Sequence, residues 1–336
     1  KGREIIYEQI LRKIQKELGI QIIISTHSTS IIRSSSPTSV IPISTKSKEC
    51  KPLTDRADLE ENIRSKIDSY SLAKSIISGK LIFFEDANLT LWEEIDDYLG
   101  TMVFKGASTS PILTFRGKTD RVPYQIKELL KEIFQDEVQI FFVRDGDGIP
   151  PKWREKLEAF SEDRGVTLIL LERYELENYL ISPPVVANAI EKIHGRESLP
   201  PAEEIEAKVY ESLMDTIRLA RFNYDDCLEE ELYQLGVLMN LSQYRNPQTV
   251  KSEVREWHDH LEALTEQRDI LKYGMGKEAL ATLMQWLNEE KHLNISRQDL
   301  IKSVVDAEIP EELSAIFSEL ESEERKLRPN GFNKYC

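Results

Sequence analysis

The sequence predicts an α/β fold, a parallel sheet flanked by helices, with an all-helical region behind it. Three observations carry this. Four short apolar segments, 81–85, 111–115, 139–144 and 167–171, read as buried strands. Helical patterns near 91–99, 121–134 and 151–163 separate them, the alternation expected of βαβ units. After Pro183-Pro184 only helical periodicity remains, from about 185 to 327, with loops expected near 195–201, 244–248, 272–276 and 293–296.

Ahead of the sheet, Ile5, Ile6, Ile10, Ile14 and Leu18 fall at helical spacing, and Gly19 suits the end of that helix. The β-branched run 20–24 predicts a short strand, followed at once by Ser25-Thr26-His27-Ser28. Residues 33–54, rich in Ser, Thr, Pro and Lys, read as a linker with room for one more strand between Val40 and Ile43. A helix is expected over 58–78, closed by Gly79. The expected organisation is three parts, 1–54, 55–182 and 183–336. Because Lys1 already lies in an amphipathic helix, the chain is expected to be a piece of a longer protein.

Of the 336 residues, 40% are apolar and 31% charged, the balance of an ordinary globular protein. No apolar run approaches the roughly 20 residues of a membrane span, and no signal peptide pattern opens the chain. Cys50, Cys227 and Cys336 form no C-x-x-C pair, which excludes a cysteine zinc site and points to a reducing cytoplasm. A net charge of −15 argues against a broadly basic coat for nucleic acid but leaves room for a local basic groove. His194, His258, His260 and His292 show no ligand spacing and read as surface residues.

Acidic residues collect where the strands end. The first strand runs into Glu85-Asp86, the third into Arg144-Asp145-Gly146-Asp147-Gly148, and the fourth into Glu172-Arg173 with Glu175 and Glu177 following. In an open parallel sheet, ligands bind outside the carboxyl ends of the strands. Carboxylates gathered there repel one another, and a divalent cation resolves the conflict; Mg²⁺ or Mn²⁺ suits such oxygen donors. Asp-Gly-Asp-Gly is also an ordinary turn sequence, and that reading stays open. An EF-hand loop is excluded, because Ile149 and Lys156 stand where that loop needs ligands.

These residues are similar to a known family. Leu81-Ile82-Phe83-Phe84-Glu85 resembles the first strand of Toprim domains with its acid. Phe142-Val143-Arg144-Asp145-Gly146-Asp147 resembles their D-x-D strand end. Glu172-Arg173-Tyr174-Glu175-Leu176-Glu177-Asn178-Tyr179-Leu180 resembles the E-N-Y-L signature of Toprim modules fused to ABC-type ATPases. Ile24-Ser25-Thr26-His27-Ser28 is similar to the switch-histidine strand of those ATPases. The order of parts resembles the OLD (overcoming lysogenization defect) family and its anti-phage relatives with a Toprim or DUF4435 effector. In the tail, Tyr273-Gly274-Met275-Gly276-Lys277 is similar to a Gly-Lys helix start of these proteins. Leu271 and Glu278 stand where a Walker A loop would need Gly and Ser or Thr.

The resemblance implies a Toprim-like Rossmannoid sheet joined to the remnant of an ABC-type ATPase, and a nuclease cleaving DNA phosphodiesters. It implies Glu85, Asp145, Asp147, Glu177 and Lys277 as catalytic residues. Glu85, Asp86, Asp145, Asp147, Glu175 and Glu177 become the ligands of one or two Mg²⁺ or Mn²⁺ ions. His27 would sense ATP only in a full-length protein, one that dimerises through its ATPase region. Arg144, Arg173, Arg116 and Lys118 are candidates for flanking phosphates. Two positions depart from the family's usual E-G-x-x-D or E-G-x-x-E: Asp86 stands in place of the glycine, and Leu89 where a second acid is usual. The alternatives are a nuclease acting on structured RNA and a degraded Toprim module serving as sensor or scaffold. A Rossmann nucleotide binder is disfavoured, since no G-x-G-x-x-G follows the first strand.

Overall fold

The computed structural model describes residues 10–11, 13–24, 41, 75, 78–85, 89–104, 112–114, 121–134, 138–307 and 309–326. Its centre is a parallel sheet of 4 strands in the order β2-β1-β3-β4, with β1 at Lys80–Phe84, β2 at Ile112–Thr114, β3 at Gln139–Arg144 and β4 at Val166–Leu170. Helices α1 (Thr90–Leu99), α2 (Arg121–Phe134) and α3 (Pro151–Asp163) connect the strands. Among the described residues, nine further α-helices follow: α4 (Glu177–Leu180), α5 (Pro183–His194), α6 (Ala202–Arg218), α7 (Tyr224–Leu238), α8 (Pro247–Glu262), α9 (Gln267–Tyr273), α10 (Gly276–Glu289), α11 (Arg297–Ala307) and α12 (Glu311–Lys326). Among the described residues, no helix is long and apolar enough to cross a membrane.

The central strands β1 and β3 are apolar because both of their faces are covered. Side chains alternate along a strand, so Leu81 and Phe83 join Ile140 and Phe142 beneath α2, where Tyr124, Ile126 and Leu130 cover them. Ile82 and Phe84 face the other way, with Phe141 and Val143, onto Trp92 and Ile95 of α1. That second core continues without a break into the helical region, through residues such as Tyr179, Val186, Leu213 and Leu283. The last helix is tied to the first strand: buried Lys80 donates to the Leu320 carbonyl, and Phe317 packs on Trp92 at 5.8 Å between ring centroids.

The register sets the working edge of the sheet. Phe84 lies beside Val143, and Arg144 beside Leu170. The chain therefore leaves β1, β3 and β4 at one rim. Two backbone hydrogen bonds carry the pairing past the strand ends, from Glu85 N–H to Val143 O (3.1 Å) and from Leu171 N–H to Arg144 O (2.9 Å).

One expected element is absent. Residues 20–24 form no strand, and Ile23 is 86% exposed. A β-branched run becomes a strand only against a partner, and no described strand lies beside this one. Gly19 ends the preceding helical turn as expected, with φ +64°. The predicted strand at 40–43, apart from Ile41, the linker and most of the helix at 58–78 lie outside the described residues.

Candidate functional site

The loops after β3 and β4 are laced together by backbone hydrogen bonds. Gly146 N–H donates to Arg173 O (3.2 Å) and Asp147 N–H to Tyr174 O (2.7 Å). Gly146 is required by this approach: a Cβ there would collide with the Arg173 carbonyl and stand 2.8 Å from that of Leu171. Asp147 turns the chain with φ +47°, and Gly148 follows at φ +65°. The Asp-Gly-Asp-Gly segment is thus a turn, and one that fixes two carboxylates at the rim.

Around these carboxylates the charges fall into two groups. In the first, buried Arg144 is the hub. Its guanidinium lies 3.8 Å from Glu85 Oε2 and 3.2 Å from Asp147 Oδ2, and it donates to Glu231 of α7. In the second, Lys277 at the start of α10 is the hub. Its backbone N–H donates to Glu175 Oε1 (2.6 Å), and its ammonium lies 2.7 Å from Glu175 Oε2 and 3.7 Å from Glu177 Oε2. Arg297 of α11 adds a contact of 2.8 Å to Glu177 Oε1.

Asp145 stands between the groups. Its backbone N–H donates to Glu85 Oε2 at 3.1 Å. Its carboxylate makes no hydrogen bond or ion pair among the described residues. Burial pushes the Asp145 carboxyl well above the usual aspartate range; Glu85 adds to this, Lys277 opposes it, and Glu175 and Glu177 push it further. Asp147 is likewise raised well above that range, first by burial and then by Glu85, with Arg144 opposing. Burial also raises Glu177, against the pull of Lys277 and Arg297. For Lys277 burial acts downward, but Glu175, Glu177 and Asp145 outweigh it and raise the ammonium above an ordinary lysine.

No family model, no curated protein and no solved structure matches the chain.

The structure brings Glu85, Asp145, Asp147, Glu175, Glu177 and Lys277 to one rim. Asp86, His27, Arg116 and Lys118 lie outside the described residues. Leu89, where the resemblance leads one to expect a second acid, is partly buried and packs against the core beside α1. Several expected roles change. Arg144 is 1% exposed and engaged with three carboxylates, so it is not placed for flanking phosphates. Arg173 donates to the Asn178 carbonyl at 2.7 Å and lies over the Tyr179 ring at 4.4 Å, which commits it to the fold. His258 is half-buried rather than a surface residue, 2.7 Å from Asp225 and 3.4 Å from Glu262. Glu231 and Arg297 had no signal in strand or turn pattern; they arrive from helices far along the chain.

The neutralisation also differs from expectation. A divalent cation is the expected remedy for the acidic rim, yet Arg144, Lys277 and Arg297 already offset much of the charge. Among the described residues, no group of three or more His, Cys, Asp or Glu is arranged to hold a metal ion. Two features nevertheless suit a hard cation: the donors are all carboxylate oxygens, and the Asp145 carboxylate makes no hydrogen bond or ion pair among the described residues.

Proposed function

We propose that this chain carries a metal-dependent phosphodiesterase site that cleaves nucleic acid, with DNA as the favoured substrate. The observation that carries the reading is the meeting of carboxylates from three parallel strand ends around an open Asp145. On this reading Glu85, Asp145 and Asp147 hold one Mg²⁺ or Mn²⁺, and Glu177, with Asp86 or Glu175, serves a second or positions the water. When bound, such an ion acidifies water and stabilises charge on phosphoryl oxygens.

The remaining work falls to the chain itself. Arg144 orients Glu85 and Asp147 from within the core. Lys277 holds positive charge at the rim, where negative charge develops on a scissile phosphate. The parentage that goes with this reading is an OLD-type protein, in which ATP use and dimerisation belong to a longer chain.

The test is Mn²⁺-dependent nicking of supercoiled plasmid. Asp145→Ala is expected to abolish it, and undiminished nicking in that variant rejects the assignment. Running tRNA beside plasmid separates the RNA-cleaving alternative. A second reading, a non-catalytic scaffold, is favoured by the packed Leu89 and by the pairing of Glu175 with Lys277. It predicts no nicking and no Mg²⁺ or Mn²⁺ affinity at all.

A further inference from the structure

We infer that Asn178 is the positioning residue for Lys277, joining the acidic loop after β4 to the loop that opens α10. The inference rests on the functional reading above only for its catalytic consequence; the positioning itself is geometric. Asn178 is fully buried. Its Oδ1 accepts from the Glu175 backbone N–H at 3.2 Å. Both hydrogens of its amide are used, by Leu271 O at 2.9 Å and Gly274 O at 2.8 Å. One side chain thus holds the residue that carries the Glu175 carboxylate and the two carbonyls that lead into Lys277.

The opposing loop is shaped to accept this grip. Met275 N–H donates to Thr216 Oγ1 of α6 at 2.9 Å, which pins the loop from its other side. Gly274 lies so close to Leu213 that a Cβ would stand 2.8 Å from it. Gly276 is pressed onto Asn178 itself: a Cβ would collide with its Oδ1 and stand 2.7 Å from its backbone nitrogen. With both glycines seated, α10 begins where the N–H and the ammonium of Lys277 each reach Glu175.

Only a carboxamide satisfies all three partners. Aspartate would set oxygen against two carbonyls, and an apolar side chain would leave those carbonyls buried without donors. Asparagine within Glu-Asn-Tyr-Leu is therefore explained by the loop it holds, 93 residues further on.

The experiment is amide hydrogen exchange on wild type, Asn178→Asp and Asn178→Ser, the serine being a neutral variant in case the aspartate does not fold. The expected result is roughly tenfold or faster exchange at the Lys277 amide, the loss of about one hydrogen bond's protection, with β1 and α8 exchanging as in wild type. In plasmid nicking, turnover should fall about tenfold with KM for plasmid within about twofold, the pattern of an interaction made in the transition state. Unchanged Lys277 exchange in a folded variant overturns the inference. So does a uniform rise across β1 and α8, which marks a purely global role. Lys277→Met separates the two claims: full nicking in that variant removes the lysine's catalytic role while the exchange result still decides the positioning.

Discussion

Asp145 gives its backbone N–H to the Glu85 carboxylate at 3.1 Å while its own carboxylate stays without a hydrogen bond or ion pair among the described residues. Two neighbouring strand ends are thereby fixed to each other, and the acid between them is left unneutralised. A fold keeps such a group at a cost in stability, and the cost can be measured.

Replacing Asp145 with Asn should stabilise the protein at pH 8. The sign follows from the raised pKa, caused by burial first and by Glu85 next. Between the ordinary aspartate value and the raised one, the folded chain holds a proton that the unfolded chain has released. Its contribution therefore weakens the fold as pH rises through that window. Thermal melts of both proteins from pH 4 to pH 8 should show the variant's advantage growing with pH.

Arg144→Met should be severe, costing about 3–5 kcal/mol, because it leaves Glu85, Asp147 and Glu231 facing one another around a buried position. Urea unfolding measures the loss. Adding Glu231→Gln should return part of it, since one of the three charges is then removed.

Gly146→Ala should cost about 1–3 kcal/mol by overpacking, because backbone carbonyls of Arg173 and Leu171 occupy the space a Cβ needs. Gly100→Ala is the control. Gly100, unlike Gly146, has a positive φ, +67°, and open space around it, so it should show only the backbone penalty of about 1 kcal/mol. Only the first substitution should disturb the rim, visible as a change in nicking beyond the change in melting temperature.

The sheet was legible chiefly because its central strands, β1 and β3, are buried on both faces. Segments such as Leu-Ile-Phe-Phe and Ile-Phe-Phe-Val belong inside a core, and β3 falls on the predicted residues. The acids were legible because they directly follow those segments. The run at 20–24 misled because β-propensity says nothing about whether a partner strand is present. The cations of the site were hidden for a related reason. Arg144 looks in sequence like a charge at a strand end, and only the approach of Glu231, 87 residues away, makes it a buried hub. Arg297 lies in another helix altogether, and no local pattern records a tertiary ion pair. Lys277 was found only through its Gly-Lys resemblance, and what holds it, the Asn178 amide, needed three-dimensional contacts to be seen.

The most direct test of the metal proposal is calorimetric titration of the protein with Mn²⁺, wild type beside Asp145→Ala. Saturable binding is expected in wild type and its loss in the variant, with the variant still folded. No binding in wild type, or equal binding in both, contradicts it.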